Sequence, residues 1–455
     1  MKFMRILAIV VALVSLTTSA YGQQVTFNDV APIFQAKCQS CHEPGSIGPF
    51  SLASYAEARP WARSIKSRVS SRQMPPWHID RSVGVTHFKN DMSLTNEQID
   101  LIVKWVDGGA AQGDPTQFKA KPIAKDLFWQ GERDGFGPPD LVVSSPEYTM
   151  PAVSQDQWWR PVSEIPLTEP RWIRMVEIRP TNIQGRKILH HSIAYHILSP
   201  ENVAAADNPS VGRFGGGSAA DLVNRRPQIM EWAIGKGYDR YMDGTGKLIM
   251  PGEKISWDQH IHAVGEAVTS GSELGLWFYP KGEEPKKRSY LVGFTGLKNG
   301  QAGLDIPPNA IAYTEGFTVL KENTLITNFQ PHFHLRGKAM QVEAIFPDGR
   351  TQTISYVKDF NFNWMTNYIY ADNVVPAFPK GTIIKVSSYY DNTKGNKDNP
   401  DPEQWVGYGD RTVDEMSHAW MNVVALNDAE YADYIKTHGV GVTNGRVPRN
   451  DSQQQ

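Results

Sequence analysis

From about residue 139 onward, the sequence consists of short apolar stretches separated by Pro, Gly, Asn and Asp residues. This punctuation is typical of strands joined by turns. In residues 340–357, apolar and polar residues alternate on both sides of Pro347-Asp348-Gly349, which predicts a β-hairpin. Roughly 300 residues with this pattern are too many for one small sandwich, so we expect two packed, mainly antiparallel β-sandwich domains of the jelly-roll type.

The composition is that of an ordinary globular protein with several domains. The chain has 455 residues, of which 40% are hydrophobic and 21% are charged. The formal net charge is −2. This balance provides no electrostatic reason to expect nucleic acid or an anionic membrane surface as a partner.

The N-terminus has the features of a secretory signal. Lys2 and Arg5 precede an apolar run at residues 6–16, and small residues follow at Ala20 and Gly22. The apolar run is too short to span a bilayer comfortably. We therefore expect residues 1–22 to be a cleaved signal peptide, and the protein to be periplasmic without stable membrane insertion.

The only two cysteines of the chain, Cys38 and Cys41, form a Cys-x-x-Cys-His motif with His42. This is the attachment signature of c-type haem, in which each thiol forms a thioether and the histidine binds the iron. The alternative is a redox-active cysteine pair followed by an incidental histidine. The motif predicts one covalently bound haem c.

The second axial position of such a haem takes a soft or nitrogen donor. Met74 is the preferred candidate, because Pro75 and Pro76 stiffen the backbone directly after it. Met92 is the alternative. Both methionines lie between the attachment motif and the next helical pattern.

That helical pattern begins with a capping box formed by Thr95 and Gln98, and ends at Gly108-Gly109. It resembles the closing helix of a small class I cytochrome c. We therefore expect an all-α cytochrome c domain at residues 25–113, joined by a linker at 114–138 to the β-rich part of the chain.

Histidines recur in pairs in the β-rich part. His332 and His334 stand two positions apart, so on a strand both imidazoles lie on one face and can reach one metal ion. Neighbours on a regular strand point to opposite faces, so His190 and His191 can share a metal only if a bulge or strand end redirects one of them. Neutral imidazole suits copper, zinc and iron.

Two further elements complete an ordered series of motifs: "DQHIHAVG" with His260 and His262, and "DEMSHAW" with Met416. Together with "LHHSI" and "PHFHLRGK", this order resembles the copper type II ascorbate-dependent monooxygenases, the family of peptidylglycine α-hydroxylating and dopamine β-monooxygenase. The resemblance covers roughly residues 138–430. It implies a bacterial form of the family fused to a cytochrome c.

The resemblance implies two copper ions. The electron-transfer copper would be bound by His190, His191 and His260, with His262 as the alternative third ligand. The oxygen-reactive copper would be bound by His332, His334 and Met416. A thioether fits the second role because a soft ligand favours Cu(I).

The chain also departs from the family. Its relatives in animals rely on disulfides, whereas here both cysteines belong to the haem motif. Ile261 follows His260 where the family has a tyrosine, and His418 and Trp420 stand where substrate-binding residues are expected. No arginine directly precedes His332, so a glycine-extended peptide is not the expected substrate. Of the other histidines, we expect His78 and His87 at the surface or at the haem edge, His196 in a structural role and His438 at the surface.

These features predict a periplasmic monooxygenase that hydroxylates a C–H bond of a small organic substrate with O2. The electron donor would be external, namely a periplasmic cytochrome, a quinol-linked carrier or a small reductant, and electrons would pass through the haem. The alternatives are a non-hydroxylating electron-transfer or copper-binding protein, and an oxidase. The β-rich part is expected to divide into domains at 139–285 and 286–435, followed by a tail at 436–455.

Overall fold

The computed structural model describes residues 24–44, 48–120, 127–199, 227–233, 235–297 and 303–446. The expected signal peptide at 1–22 lies outside these residues. No helix in these ranges is long and apolar enough to cross a membrane. The chain divides into two compact units: a helical unit from Met1–Pro75 and Ser93–Ile123, and a β unit from Pro76–Met92 and Ala124–Gln455.

The helical unit is built from short helices. They are α1 (Phe27–Lys37), α2 (Tyr55–Ala58), α3 (Ala62–Ser70) and α4 (Asn96–Asp107), with a 3-10 turn at Arg59–Trp61. Thr95 and Gln98 form the capping box that the sequence predicts at the start of α4. The core between the helices is aromatic, with an edge-on contact between Phe34 and Trp105 and tilted contacts of Phe27 with both rings.

The β unit contains the strands. Its first half holds β1 (Leu141–Ser144), β2 (Tyr148–Met150), β3 (Gln157–Trp159), β4 (Val162–Glu164), β5 (Arg171–Pro180), β6 (Leu189–Ile197), β7 (Gln228–Ala233), β8 (Tyr238–Arg240), β9 (Thr245–Ile249), β10 (Lys254–Ile261), β11 (Val268–Ser270) and β12 (Ser272–Phe278). A short helix, α5 (Gly185–Ile188), precedes β6, and a π-helical turn occupies Glu132–Phe136.

The second half of this unit holds β13 (Lys287–Arg288), β14 (Tyr290–Thr295), β15 (Asp305–Ile306), β16 (Ile311–Val319), β17 (Asn323–Ile326), β18 (Asn328–His332), β19 (Gly337–Ile345), β20 (Thr351–Val357), β21 (Tyr368–Ile369), β22 (Ala377–Phe378), β23 (Ile383–Asp391), β24 (Val406–Gly407) and β25 (His418–Leu426). A 3-10 turn lies at Asp372–Val374, and α6 (Asp428–His438) follows the last strand.

Two of the sheets carry the candidate site. The first has the order β3-β10-β6-β7, with β4 also paired to β10, and the second has the order β21-β18-β25-β17-β22, with β14 also paired to β25. All strand pairs in these two sheets are antiparallel. Alternate residues therefore share a face, and residues directly opposite each other across a pair share it too.

The predicted hairpin at residues 340–357 is confirmed. Strands β19 and β20 pair with Ile345 opposite Thr351, which leaves the Pro-Asp-Gly segment as the turn. Gly349 has φ +86°, a conformation that favours glycine over residues with a side chain.

The predicted fold class is wrong. Helix accounts for 17% of the chain, and no all-α class I cytochrome c domain occupies residues 25–113. The middle of that range contains no helix and belongs to the β unit, where Ile79 bridges to Val357 and Phe88 bridges to Tyr370. The β-rich part from residue 139 onward falls within one of the two compact units, and its division at residues 285 and 286 stays a prediction. Backbone pairing between distant segments, which local patterns do not report, places residues 76–92 with the sheets.

Candidate metal centres on one cavity

The first candidate centre lies where β6 and β10 pair. His260 is directly opposite His191, but the next pair joins Ile261 to Leu189, so His190 is an extra residue in β6. This β-bulge redirects one of two adjacent side chains. As a result, ligand atoms of His190, His191 and His260 lie within 4.8 Å of one another. Among the described residues, His262 is not part of this group.

Neighbouring side chains hold these imidazoles in place. Asp156 Oδ2 lies 2.8 Å from His260 Nε2, which leaves Nδ1 as the ligand atom of that ring. The indole of Trp158 stacks on His260 with ring centroids 4.6 Å apart and an angle of 5° between the planes. The Asp156–His260 pair resembles the carboxylate–histidine arrangement that orients metal ligands. In that arrangement the carboxylate fixes both the tautomer of the imidazole and the orientation of its ring.

Burial keeps the three rings neutral. Desolvation lowers the pKa of His190 to about 3, with a further contribution from the neighbouring imidazoles. It also lowers the pKa of His191 well below the usual value and lowers that of His260, although Asp156 opposes the shift of His260. Neutral imidazole is the form that binds metal, so the group is ready for a cation at neutral pH.

The second candidate centre lies at the end of β18. The imidazole centroids of His332 and His334 are 5.6 Å apart. His334 Nδ1 lies 3.0 Å from the carbonyl oxygen of Asp414, to which it can donate, leaving Nε2 for a ligand. His332 Nδ1 is buried and has no hydrogen-bond partner within the described ranges. A buried imidazole nitrogen without a partner is costly, and a metal ion would satisfy it.

Glu415 fixes the backbone on which these ligands stand. Its two carboxylate oxygens accept four backbone N–H groups, from His334 at 2.9 Å, Arg336 at 2.6 Å, Gly337 at 3.1 Å and Met416 at 3.1 Å. Burial raises the pKa of Glu415, while these donors oppose the shift. The carboxylate thereby ties the turn after β18 to the segment that carries the methionine.

Both centres open on one cavity of about 290 Å³. One wall is the face of the first sheet that carries His191 and Ile193, and the other is the face of the second sheet that carries His332 and His418. The cavity is lined by Trp158, Arg160, His191, Ile193, Tyr195, Gln228, Glu231, Asp258, His332, His334, Tyr408, Asp410, Met416, His418 and Trp420. Hence Met416 faces the same space as the two histidines with which it was grouped from sequence.

His418 belongs to this cavity wall as well. It is paired with His332 across β18 and β25, with ring centroids 6.3 Å apart. Burial lowers its pKa to about 4. Tyr408 approaches it, with the hydroxyl 3.5 Å from Nε2. The ring is therefore a neutral polar group beside the second centre at physiological pH.

The Cys-x-x-Cys-His motif, the predicted attachment motif for haem, follows α1 in the helical unit. The backbone N–H of Cys38 continues the helix to the carbonyl of Phe34, and that of His42 bonds to the carbonyl of Cys38 at 2.9 Å. His42 Nδ1 lies 3.0 Å from the carbonyl oxygen of Phe50, to which it can donate, and this leaves Nε2 for a ligand. A Cβ on Gly48 would lie 2.7 Å from His42 Nδ1, so glycine leaves room for the imidazole there.

Two candidates for the other axial ligand fall in different units. Met74 is part of the helical unit, as the attachment motif is. Met92 belongs to the β unit, where it packs against the main hydrophobic core. The assignment of Met74 stays a prediction.

Three of the four histidines outside these sites, His87, His196 and His438, have a side-chain contact close by. His196 Nε2 lies 2.6 Å from Glu253 Oε2 in a buried pair. His438 stacks on Tyr434 at 4.0 Å in α6. Burial lowers the pKa of His78. His87 contacts the hydroxyl of Thr86.

Sequence reasoning missed several residues that complete the centres: Asp156, Trp158, Phe362 and Glu415. Only Glu415 had a local signal, because it precedes Met416 within the quoted Asp-Glu-Met motif. The others come from distant parts of the chain: Trp158 lies on β3, which pairs with β10, Asp156 lies just before β3, and Phe362 lies in a turn between β20 and β21.

No family model matches the chain, and no curated protein matches it. Among solved structures, PNGF-II is 10% identical with a TM-score of 0.27, covering 69% of this chain and 70% of its own. A putative alpha-L-fucosidase from Bacteroides ovatus is 7% identical with a TM-score of 0.17, and the match covers 72% of this chain and 43% of the fucosidase chain. The VP2 subviral particle of infectious bursal disease virus is 10% identical with a TM-score of 0.16, and the match covers 64% of this chain and 73% of the VP2 chain. Similarities this weak carry no argument about fold or function.

Proposed function

We propose that the protein is a periplasmic copper-dependent monooxygenase that hydroxylates a C–H bond of a small organic substrate with O2. One oxygen atom enters the substrate and the other leaves as water, which requires two external electrons and two protons. We further propose that a haem c, covalently attached at Cys38 and Cys41 with His42 as axial ligand, receives those electrons from a periplasmic donor.

The observation that carries the proposal is the shared cavity. His191 of the first group lines the same space as His332, His334 and Met416 of the second. Two one-electron metal sites facing a single cavity suit a reaction in which O2 and substrate meet and two electrons must arrive there. This arrangement supports an oxygenase more than a simple metal store.

The donor sets fit copper. Three neutral imidazoles suit copper in either oxidation state, and two imidazoles with a thioether favour Cu(I). Bound copper would supply one-electron redox chemistry and the activation of O2. His332 Nδ1, buried without a partner in the described part of the chain, supports a metal ion at the second group.

The remaining residues have positioning roles in this proposal. Asp156 fixes the tautomer of His260, and Trp158 restricts the rotation of that ring. Glu415 holds the turn carrying His334 and the segment carrying Met416 in register. The indole of Trp420 lines the cavity, and its Nε1 is buried without a partner among the described residues.

Metal analysis of the purified full-length protein tests the proposal. We expect two copper ions and one iron per chain. X-ray absorption at the copper edge of the reduced protein should then show a sulfur neighbour that Met416→Leu removes. Met242→Leu, which alters a partly buried methionine packed against the core, is the matched control and should leave the sulfur signal intact. Zinc in place of copper, or a sulfur signal that survives Met416→Leu, would refute the assignment.

A further inference from the structure

Trp61 is an exposed aromatic residue of the helical unit. It ends the 3-10 turn Arg59–Trp61, directly before α3, and 42% of its surface is exposed. Its indole stacks on the phenyl ring of Phe50, with ring centroids 4.2 Å apart and an angle of 11° between the planes. A single exposed apolar side chain is common in soluble proteins, so its contacts and its surroundings decide whether it has a role.

The stack continues inward to His42. The phenyl ring of Phe50 contacts the imidazole of His42, with centroids 4.7 Å apart and an angle of 42° between the planes. The backbone of Phe50 contacts the same imidazole, since its carbonyl oxygen lies 3.0 Å from His42 Nδ1. Three packed rings therefore connect the exposed surface with the histidine that we propose as an axial haem ligand.

The segment around Trp61 is strongly basic, although the net charge of the whole chain is −2. No acidic residue occurs between residues 58 and 79. The basic residues of this segment are Arg59, Arg63, Lys66, Arg68 and Arg72.

Three of these cations already have partners in the helical unit. Lys66 Nζ lies 2.5 Å from Asp107 Oδ1, Arg68 donates to the side chain of Gln73, and Arg72 donates to Asn96 at 2.6 Å.

The two arginines nearest to Trp61 are different. Arg59 and Arg63 are exposed, and neither forms an ion pair within the described ranges. The closest acidic residue in the sequence, Glu57, is engaged by the hydroxyl of Ser54, 2.7 Å from Oε2. Arg59, Trp61 and Arg63, which we call the Trp61 patch, thus combine an oriented indole with two uncompensated positive charges.

This combination fits a protein partner with an acidic surface. Tryptophan and arginine are the residue types that contribute most often to binding energy at protein interfaces. Complementary charge steers the encounter of two proteins and raises the rate of association. Complexes for electron transfer use small interfaces, below roughly 1,200 Å² in total, so a patch of a few residues is sufficient.

We propose that the Trp61 patch is the docking surface for a small electron-transfer protein whose redox group is surrounded by acidic residues. The reduced partner would lose one electron and the ferric haem would gain it, with no bond formed or broken. The stack of Trp61 and Phe50 on His42 would lie between the two redox groups. This inference rests on the proposed function, since it assumes the haem and names the surface through which electrons enter.

The rate of haem reduction tests the inference. The oxidised full-length protein is mixed anaerobically with reduced flavodoxin, a small acidic electron-transfer protein, and the visible spectrum of the haem is followed. We expect the second-order rate constant to fall about tenfold between roughly 10 mM and 0.5 M salt, because salt screens the attraction between the partners. Dithionite, a small anion, should depend on salt by less than about twofold.

Charge variants locate the docking surface. Arg59→Gln/Arg63→Gln should lower the rate constant with flavodoxin about tenfold at low salt and remove most of its salt dependence. The control is Lys104→Gln/Lys119→Gln, which removes the same charge from exposed positions of the same unit. That control should lower the rate constant by less than about twofold.

Trp61→Leu tests the aromatic contact. It should slow reduction by flavodoxin about fivefold even at high salt, because a contact at the centre of an interface does not depend on charge. Trp405→Leu, at a tryptophan of the β unit that is 62% exposed, should have no effect. The spectrum and the reduction potential of the haem should stay as in the wild type. Trp61→Phe keeps a ring on Phe50 and should retain at least about half of the rate if Trp61→Leu does not fold.

Several outcomes would overturn the inference. They are a rate with flavodoxin that does not depend on salt, equal rates for the two double variants, and an equal loss with dithionite, which would indicate a site for small anions or an altered haem. Each of these leaves the proposed function standing. A protein without haem, recognised from its spectrum before mixing, would refute the proposed route of electrons together with this inference.

Discussion

The phenyl ring of Phe362 stacks on the imidazole of His190, with ring centroids 4.9 Å apart and an angle of 24° between the planes. The edge of the same phenyl ring meets His334, with centroids 6.4 Å apart and an angle of 89°. One aromatic side chain thus contacts a histidine of each candidate centre. The two histidine groups are neighbours, yet no imidazole is shared between them, which suggests two separate metal ions.

Replacing both His332 and His334 by alanine should remove one copper ion and leave the other. The remaining three histidines, His190, His191 and His260, form a complete group by themselves. Metal content per chain, measured after dialysis against trace copper, checks this expectation. Loss of both ions together would show that the histidines form a single cluster.

Phe362→Leu should weaken copper binding at the first centre by about tenfold, because side chains that orient metal ligands have effects of this size. The measurement is a copper titration in the His332→Ala/His334→Ala background, where only the first centre remains. Phe360→Leu is the control, since Phe360 packs on Phe333 in the core rather than on a histidine. Equal copper affinities for the two phenylalanine variants would mean that the stacking on His190 has no role in binding.

Glu415→Gln should lower the free energy of unfolding by about 2–4 kcal/mol. The carboxylate accepts four backbone N–H groups through two oxygens, and an amide would replace one of those acceptors with a donor inside a buried site. Urea unfolding of the copper-free protein measures the change. Glu403→Gln, on the exposed surface, should change stability by less than about 0.5 kcal/mol. A stability like that of the wild type would contradict the bracing role of Glu415.

Lys247 should make stability rise with pH in the alkaline range. Burial lowers its pKa from 10.5 to about 7, so between these values the unfolded chain carries a proton that the folded protein lacks. The free energy of unfolding should therefore increase from about pH 7 upward, by at most about 1.4 kcal/mol per pH unit, and the full penalty of burying the charge should apply below pH 7. Lys247→Met should lack this rise. If the free energies of unfolding of the wild type and of Lys247→Met change with pH in the same way, Lys247 is not the cause of the rise.

Met74→Ala should change the visible spectrum and lower the reduction potential of the proposed haem without releasing it, because Cys38, Cys41 and His42 remain. Met92→Ala should leave the spectrum unchanged, since that methionine packs against the core of the β unit. Spectra of the oxidised and reduced proteins decide between them. A spectral change in Met92→Ala alone would reverse the assignment of the axial ligand.

Local patterns accounted for the features that depend on neighbouring residues. Alternation and a Pro-Asp-Gly turn predicted the hairpin of β19 and β20, and side-chain chemistry predicted the capping box of α4. The fold class was wrong because residues 76–92 lack a periodic signal of their own. Their hydrogen bonds go to strands almost 300 residues away, such as the bridge from Ile79 to Val357.

The sequence by itself determined which side chains are candidates for metal binding and haem attachment, because imidazole, thioether and thiol chemistry can be identified from residue type and spacing. Only the tertiary structure decided how they combine. The bulge at His190 depends on the register of β6 against β10, and three of the four backbone donors to Glu415 lie about 80 residues away along the chain, in residues 334–337. Register is set by pairing and burial over the whole sheet, and no short stretch of sequence specifies it.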